Sequence, residues 1–307
     1  MIIPYFGKFN NYFLFFLESC RNNPTINWLL VTDDKTNYKF PENVKVLYLS
    51  FDKLREKFQE QFDFKISLNA PYKLCDFRPA YGVVFKEFTE GYDYWGYCDN
   101  DLIFGNIRSF LTDEVISRKD KVLSRGHLSL YRNNQRMNNF FRDETDDFYK
   151  TVFTSDRGFS FDEWGPVGIA NHIKKRLDPD KFWDELPFDD IHTLRSDFFP
   201  AQKIQEDFKY IIYEYENGEL FRLFLTSENM NEINREPILY AHFQKRPLET
   251  ETEDTSHYLI IPNRIIPFKE VGIADLIKWG GVKFINTQRL RVKYNNLRKK
   301  IKLKFGF

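Results

Sequence analysis

Hydrophobic and polar positions alternate in short blocks along the first part of this chain. Apolar runs that suit buried strands cover residues 1–5, 28–32 and 44–49. Between them, helical periodicity covers residues 11–20, and a charged amphipathic stretch follows at residues 52–62. Strands that alternate with helices indicate βαβ units and a mostly parallel sheet flanked by helices. Ligands of such α/β sheets bind at the carboxyl ends of the strands.

Farther along the chain the pattern changes to that of antiparallel strands. Residues 122–124 and 127–131 are predicted to be strands. Residues 208–225 alternate apolar and polar positions around a central Asn-Gly pair, which predicts a hairpin. The sheet is therefore expected to be mixed.

Two carboxylates stand where a buried strand ends. Residues 94–98 form the predicted strand, residues 102–106 form the predicted turn, and Asp99 and Asp101 lie between them. Side chains two apart in an extended segment point the same way, so this pair can converge on one hard cation. Such a cation keeps positions open for pyrophosphate oxygens, which implies a nucleotide-activated substrate. Taken alone, an acidic pair at a strand end more often solvates a loop or caps a helix.

A predicted helix over residues 72–87 precedes the acidic strand and contains Asp76 and Arg78. With Asp99 and Asp101, these residues resemble the GT-A sugar-nucleotide glycosyltransferases. In that group an Asp-x-x-Arg-type helix precedes a strand that ends in an Asp-x-Asp metal motif. The spacing here is one residue shorter than the usual motif. The resemblance is strongest to families 32 and 8, or to the family 111 galactofuranosyltransferases.

The resemblance extends over residues 1–245 and implies a GT-A, Rossmann-like α/β fold. It further implies a metal-dependent enzyme that moves a sugar from a nucleoside diphosphate donor to a hydroxyl of a glycan. The donor is expected to be a UDP-sugar, and within family 111 UDP-galactofuranose. The implied ion is Mn²⁺ or Mg²⁺. The implied acceptor is a glycan or lipid-linked glycan of bacterial surface polysaccharide synthesis.

The resemblance also assigns residues to the donor. The loop after the first strand holds the base and ribose in GT-A enzymes, which implies that role for Tyr5 and Phe6; a glycine turn with a packed aromatic is the alternative. Asp76 would accept a hydrogen bond from a base or sugar hydroxyl, and Arg78 would meet phosphate. For Asp76 the competing explanation is an ion pair with Lys73 at helical spacing.

The region after the metal strand carries the groups expected to face the sugars. His127 would bind hydroxyls, and a hydrogen-bonded structural histidine is the alternative. Asp162 or Glu163 is the predicted catalytic base, which would take the proton of the acceptor hydroxyl in an inverting transfer. The alternative is that both acids cap a helix that begins here.

A short predicted strand ends in His242, and Lys245 follows it. Because GT-A enzymes commonly return a late histidine to the metal, the resemblance makes His242 the third ligand beside Asp99 and Asp101. An imidazole nitrogen suits Mn²⁺ better than Mg²⁺. Lys245 would then face the diphosphate. The alternative is an edge-strand histidine followed by a solvated basic turn.

Composition narrows the class of partner. The 307 residues carry 45 basic and 45 acidic side chains, so no net field attracts nucleic acid. The three cysteines are odd in number and stand in apolar stretches, which predicts reduced core thiols of a cytoplasmic protein. We see neither a leader sequence nor a membrane-spanning run, and we therefore expect neither secretion nor membrane insertion.

No internal repeat or long linker divides the chain, so we predict one α/β domain over residues 1–260 and a basic helical extension over residues 261–307. Lysines and arginines crowd residues 289–304 without an acid among them. Each such cation gains about 1 kcal/mol near an anionic membrane, which predicts peripheral contact beside lipid-linked acceptors. A solvated helix or a nucleic-acid contact is the alternative for this segment. For the whole chain, the alternative is a non-catalytic glycan- or membrane-binding protein.

Overall fold

The computed structural model describes residues 1–193, 195–201, 207–244, 246–281 and Tyr294. The strands of these residues are β1 Ile2–Tyr5, β2 Trp28–Thr32, β3 Val44–Tyr48, β4 Tyr94–Cys98, β5 Leu102–Phe104, β6 Lys121–Arg125, β7 Leu128–Arg132, β8 Phe182–Trp183, β9 Asp189–Asp190, β10 Phe208–Glu216, β11 Glu219–Thr226, β12 Asn234–Pro237, β13 Tyr240–His242, β14 Glu249–Thr250, β15 His257–Ile261 and β16 Arg264–Pro267. The α-helices are α1 Phe13–Arg21, α2 Phe51–Gln59, α3 Leu74–Phe77, α4 Tyr81–Val84, α5 Lys86–Thr89, α6 Ile107–Phe110, α7 Asp113–Ile116, α8 Gln135–Asp143, α9 Phe148–Thr154, α10 Ile169–Arg176 and α11 Ile273–Gly280.

The chain divides into two compact units, each built from separate stretches of sequence. The first unit consists of Met1–Phe9, Asn23–Asn100 and Arg108–Leu186. The second unit consists of Asn10–Asn22, Asp101–Ile107 and Pro187–Phe307. The boundary predicted at residue 260 falls inside β15, which pairs with β16. The basic segment over residues 289–304 lies outside the described residues apart from Tyr294, so its contact with a membrane stays a prediction.

The described part of the first unit contains a seven-stranded sheet in the order β3-β2-β1-β4-β7-β6-β8. Strands β3, β2, β1 and β4 run parallel, β7 is antiparallel to both β4 and β6, and β8 is parallel to β6. Helices pack on this sheet through an aromatic core, in which Phe58 of α2 meets Phe77 of α3 edge-on at 5.5 Å. The prediction of a mixed, mostly parallel α/β sheet flanked by helices is confirmed.

The continuous helix predicted over residues 72–87 is wrong. This stretch consists of successive short helical turns, namely the 3₁₀ turns Pro71–Lys73 and Arg78–Ala80 and the α-helical turns α3, α4 and α5. Pro79 has no N–H to donate, so the α-helical hydrogen bond to the carbonyl four residues earlier cannot form there, although Arg78 itself keeps helical backbone angles.

The stretch that carries Asp162 and Glu163 also differs from its predicted structure. The sequence predicts a helix N-terminus here, but α10 begins only at Ile169, with Gly168 as its N-cap. Pro166 explains why no helix runs from Asp162 through Gly165, because a proline disfavours helical backbone at the residue before it. Asp162 and Glu163 therefore lie in a turn and do not cap a helix.

The described part of the second unit contains a six-stranded sheet in the order β12-β11-β10-β15-β16-β14 and a small sheet of β5, β13 and β9. The hairpin β10–β11 forms as predicted, and Asn217 and Gly218 in its turn take φ of 48° and 98°. Leu276 and Trp279 of α11 pack with the large sheet. The turn predicted over residues 102–106 is wrong in part, because residues 102–104 form β5 and pair with β13.

Cys20, Cys75 and Cys98 form no disulfide with one another. Cys20 and Cys98 are buried, as predicted for core thiols, whereas Cys75 is half-buried. Among the described residues, every helix is too short or too polar to cross a membrane.

Candidate functional site

In the first unit, the residue at the carboxyl end of β4 is Asp99. β4 lies between β1 and β7 in the sheet and ends at Cys98, so Asp99 is the first residue beyond the strand. The backbone N–H of Asp99 donates to the carbonyl of His127 at 3.1 Å. This is the position that the sequence predicts for the carboxylate, where α/β sheets bind their ligands.

Arg78 joins Asp99 to a second carboxylate. One guanidinium nitrogen contacts Asp99 Oδ1, and the other donates to Asp162 Oδ2 at 2.8 Å and to the carbonyl of Gly126. The Arg78 side chain is only 13% exposed. Its planar set of N–H donors suits such a bridge between two acids. Arg78, which the sequence assigns to phosphate, thus has two carboxylate partners, and its contact with phosphate stays a prediction.

Asp162 is held from two sides and has an unusual protonation equilibrium. Tyr97 donates its hydroxyl hydrogen to the Asp162 carbonyl at 2.9 Å, while Arg78 holds the carboxylate. Burial raises the pKa of Asp162 to about 7, although Arg78 opposes this shift; the neighbouring charge of Glu163 adds to it. A carboxyl group that titrates near neutral pH can both take up and release a proton, as a general base requires.

Gly126 allows the backbone to approach these charged groups closely. A Cβ atom at this position would lie 3.1 Å from Asp162 Oδ2, 3.3 Å from Glu163 Oε2 and 3.4 Å from a guanidinium nitrogen of Arg78. Glu163, the other base predicted from the sequence, is half-buried. Gly126 itself was missed by the sequence prediction, although it directly precedes His127.

Asp76 lies inside the first unit. The residue is 2% exposed, and its carboxylate accepts hydrogen bonds from Lys73 Nζ and from the backbone N–H groups of Phe159 and Phe161. The pair with Lys73 is the competing explanation that the sequence left open. The contact with a base or sugar hydroxyl stays a prediction.

The remaining first-unit residues that the resemblance assigns to substrate binding are two packed aromatics and a buried histidine. Tyr5 stacks on Phe9 at 4.9 Å, and Phe6 meets Phe51 edge-on at 5.4 Å. His127 is 7% exposed and lies in the turn between β6 and β7. The binding roles of Tyr5, Phe6 and His127 stay predictions.

In the second unit, strand pairing brings Asp101, His242 and Asp190 together. β13 is antiparallel to β5 with His242 opposite Leu102, and parallel to β9 with His242 beside Asp190. His242 Nε2 lies 3.2 Å from Asp101 Oδ1, and Nδ1 lies 2.8 Å from Asp190 Oδ1. The imidazole is therefore held between two carboxylates.

The two carboxylates control the proton of His242. Burial lowers the pKa of this imidazole, but Asp101 and Asp190 outweigh burial and raise the pKa to about 10. A divalent cation bound at Nε2 and Asp101 would displace the proton from Nε2. Asp190 at Nδ1 is the kind of partner that orients a metal-bound histidine. One imidazole nitrogen and one carboxylate oxygen form a donor pair that fits Mn²⁺.

Lys245, assigned by the resemblance to the diphosphate, lies outside the described residues. Asp190 was missed by the sequence prediction. β9 is only two residues long, and neither residue belongs to a recognisable hydrophobic pattern. A search for acidic residues near the predicted His242 strand could not have selected Asp190, because 52 positions separate the two residues.

Comparison with known proteins gives a family but not an activity. The DUF6625 family, described as a family of unknown function, matches residues 1–269. The chain belongs to this family. No curated protein matches it. Among solved structures, the galactosyltransferase LgtC in complex with donor and acceptor sugar analogues is similar at a TM-score of 0.35 and 12% identity, over 62% of this chain and 75% of that chain. So loose a likeness assigns no activity, and the functional proposal depends on the site residues themselves.

The DUF6625 match includes every site residue named above and ends before the basic segment over residues 289–304. It also includes a further group of metal-binding residue types in the second unit, Glu214, Glu216 and His257. Arg235 donates to Glu214 at 2.9 Å and to Glu216 at 2.7 Å. The Arg235 guanidinium pairs with both carboxylates, and His257 Nε2 lies 3.2 Å from Glu214 Oε1, so the three residues have partners within the protein and we assign no metal to this group.

Proposed function

We propose that this DUF6625 protein is a metal-dependent glycosyltransferase that moves a sugar from a nucleoside diphosphate to a glycan hydroxyl. The observation that carries the proposal is the state of Asp162. Its buried carboxyl has a pKa of about 7, and Arg78 holds it beside Asp99, at the carboxyl end of β4. Transfer of a sugar to an alcohol needs such a base if the anomeric configuration inverts.

In the proposed reaction, ionised Asp162 takes the proton of the acceptor hydroxyl. The acceptor oxygen forms the new bond to the anomeric carbon, and the bond from that carbon to the diphosphate oxygen breaks, so the diphosphate leaves with the electron pair. Arg78 keeps the carboxylate pointed in one direction throughout. Glu163 is the second candidate base. Asp162 is favoured over Glu163 for two reasons. Burial raises the pKa of Asp162, whereas Glu163 is more exposed, and Arg78 fixes the direction of the Asp162 carboxylate.

Asp101 and His242 are proposed to hold the cation, with Asp190 fixing the imidazole. Asp99, the third proposed ligand, precedes Asp101 by two positions in the sequence. Bound Mn²⁺ would supply positive charge to the departing diphosphate. The residues do the rest: Asp190 keeps Nε2 directed at the ligand position, and Asp101 supplies an anionic oxygen beside it.

The finer assignments come from the resemblance in sequence. The donor is proposed to be a UDP-sugar, with UDP-galactofuranose as the candidate that family 111 suggests. Tyr5, Phe6 and His127 are proposed to contact the donor, with Lys245 at its diphosphate. The acceptor is proposed to be a glycan or a lipid-linked glycan of surface polysaccharide synthesis.

Calorimetric titration with UDP, GDP and CMP, each with and without Mn²⁺, tests the binding half of the proposal. We expect UDP to bind only when Mn²⁺ is present. H242A, which removes a proposed Mn²⁺ ligand, should abolish this Mn²⁺-dependent binding of UDP. The matched control is H257A, which removes a histidine of the same unit that pairs with Glu214. A non-catalytic glycan-binding protein would show no Mn²⁺-dependent affinity for UDP, and that result would refute the proposal.

Release of UDP from a panel of UDP-sugars tests the catalytic half. D162N should abolish release while it leaves the Mn²⁺-dependent affinity for UDP intact, because the base acts on the acceptor and not on the nucleotide. D184N is the control, since Asp184 is also paired with an arginine, Arg125, at 3.1 Å. Full turnover by D162N would remove Asp162 from the mechanism.

A further inference from the structure

A buried ion pair lies next to the turn that carries Asp162. Lys73 Nζ is 2.8 Å from Asp76 Oδ2, and the two side chains are 7% and 2% exposed. Two charges withdrawn from water destabilise a protein unless further hydrogen bonds satisfy them. In this pair, the further hydrogen bonds all go to the backbone of one segment.

Asp76 holds the end of that segment nearer to Asp162. Its Oδ1 accepts the N–H of Phe161 at 2.9 Å, and its Oδ2 accepts the N–H of Phe159 at 3.0 Å. Hydrogen bonds to an ionised acceptor are stronger than those between neutral groups. The Asp76 carboxylate thus supplies the hydrogen-bond acceptors that a neighbouring strand would supply to these backbone N–H groups in a sheet.

Lys73 holds the beginning of the same segment. Its ammonium group donates to the carbonyl of Val152, in α9, at 3.0 Å and to the carbonyl of Arg157. The ammonium also lies 5.2 Å from the centre of the Phe159 ring. The ion pair therefore fixes the backbone from the last turn of α9 to Phe161.

Phe161 directly precedes Asp162, and Arg78 follows Asp76 by two positions. The short stretch from Asp76 to Arg78 thereby holds the turn at two points. Asp76 binds the backbone N–H of Phe161, and Arg78 binds the side-chain carboxylate of Asp162. If the backbone hold is lost, the carboxylate can no longer be expected to meet Arg78 in one orientation.

We infer that Asp76 is a positioning residue that orients Asp162 and does not contact the donor. The inference rests on the proposed function for the role of Asp162 in proton transfer. It differs from the role that the resemblance assigns to Asp76, and the two roles predict different measurements.

The unmodified protein provides the first test. The amides of Phe159 and Phe161 lie outside every described helix and strand, and Asp76 is their hydrogen-bond acceptor. Phe159 is the more informative of the two, because it is only half-buried, whereas burial by itself also slows exchange at Phe161. We expect hydrogen exchange, followed residue by residue by NMR, to show both amides protected. Exchange at the rate of an open loop would overturn the inference.

The variant D76N provides the second test. We expect the Phe161 amide to exchange about tenfold faster, because its hydrogen-bond acceptor is then a neutral amide oxygen in place of a charged carboxylate oxygen. The ¹³C carboxyl resonance of Asp162 should shift, and kcat should fall about a hundredfold, as small misplacements of a reacting group do. The affinity for UDP with Mn²⁺ should stay unchanged. A fall in that affinity with unchanged exchange and an unmoved Asp162 resonance would mean that Asp76 contacts the donor.

Asp76 cannot be removed without effect on Lys73, which would then be a buried charge without its partner, and D76N could fail to fold. The double variant K73M/D76N removes both charges and gives the same measurements. D184N is the control, because Asp184 also accepts a backbone N–H, that of Ser124 at 3.1 Å, and pairs with an arginine. It should leave exchange at Phe161 unchanged.

Amide hydrogen exchange and the ¹³C carboxyl resonance of Asp162 can both be measured on a protein without enzymatic activity. If both change as expected but the unmodified protein releases no UDP from any donor, the positioning role stands and the proposed function fails. If UDP is released but D76N leaves both signals unchanged, the proposed function stands and the positioning role fails.

Discussion

Both units of this protein place one cation between two carboxylates, but the two cations differ in kind. In the first unit Arg78 lies between Asp99 and Asp162. In the second unit His242 lies between Asp101 and Asp190. A guanidinium keeps its proton at every pH that a protein survives, whereas an imidazole loses its proton to a base or to a metal.

The difference separates a fixed group from an exchangeable one. Burial works against the charge of Arg78, but Asp99 and Asp162 outweigh it and raise the pKa of the guanidinium further. The pKa of His242, at about 10, is high but within reach of competition from a divalent cation. The first group is thus suited to hold an acid in place, and the second is suited to trade its proton for a metal ion.

The largest expected effect follows from removal of the permanent cation. R78M leaves the buried Asp162 without its partner, and we expect the free energy of unfolding to fall by about 4 kcal/mol at pH 9, where Asp162 of the unmodified protein is ionised. Urea denaturation measures this loss. R78K is the control: it keeps the charge but lacks the planar fork of donors that fits two carboxylates at once, so it should recover part of the stability. An R78M protein as stable as the unmodified one would mean that Arg78 does not hold these acids in solution.

The exchangeable cation predicts a dependence of Mn²⁺ affinity on pH. Because binding at His242 must release a proton below its pKa of about 10, the affinity should rise by about tenfold per pH unit from pH 7 to 9. Calorimetry in buffers of different ionisation enthalpy should detect one proton released. D190N should lower the pKa of His242 and flatten the dependence. An affinity that does not change with pH would exclude His242 from the ligands.

Asp162 predicts how stability changes with pH in the metal-free protein. Its folded pKa of about 7 lies above the value of about 3.9 for an unfolded chain, so the folded state binds more protons between these values. The contribution of Asp162 to the free energy of unfolding is therefore fully present below about pH 4 and is lost as pH rises through 7. Between pH 5 and 8 the unmodified protein should lose about 2 kcal/mol more than D162N does. Equal losses in chemical denaturation would contradict a raised pKa.

The smallest expected effect concerns the approach of the backbone to the first group. G126A introduces a methyl group 3.1 Å from Asp162 Oδ2, which should cost about 1 kcal/mol in thermal unfolding and slow UDP release. G158A is the matched control, because a Cβ atom there meets nothing within 4 Å. If both variants behave alike, Asp162 has more room than the structure gives it.

The sequence predicts the fold from local rules. The strands β1 to β4, the position of Asp99 at the end of β4 and the β10–β11 hairpin follow from hydrophobic periodicity and from the turn chemistry of Asn-Gly. The predictions that fail do so near prolines and at short strands. Pro79 and Pro166 disrupt helices that periodicity alone would draw through them, and β5 is too short to show a period.

The partners of the charged groups are decided only by the tertiary structure. Arg78 and Asp162 are 84 positions apart in sequence, as are Lys73 and Arg157, and 52 positions separate Asp190 from His242. A charged residue has the same appearance in a sequence whether it is solvated or buried against an opposite charge. The sequence alone determined which acids stand at the ends of strands, because periodicity is local. Only folding determined which cation each acid meets, because burial and ion pairing are properties of the packed chain.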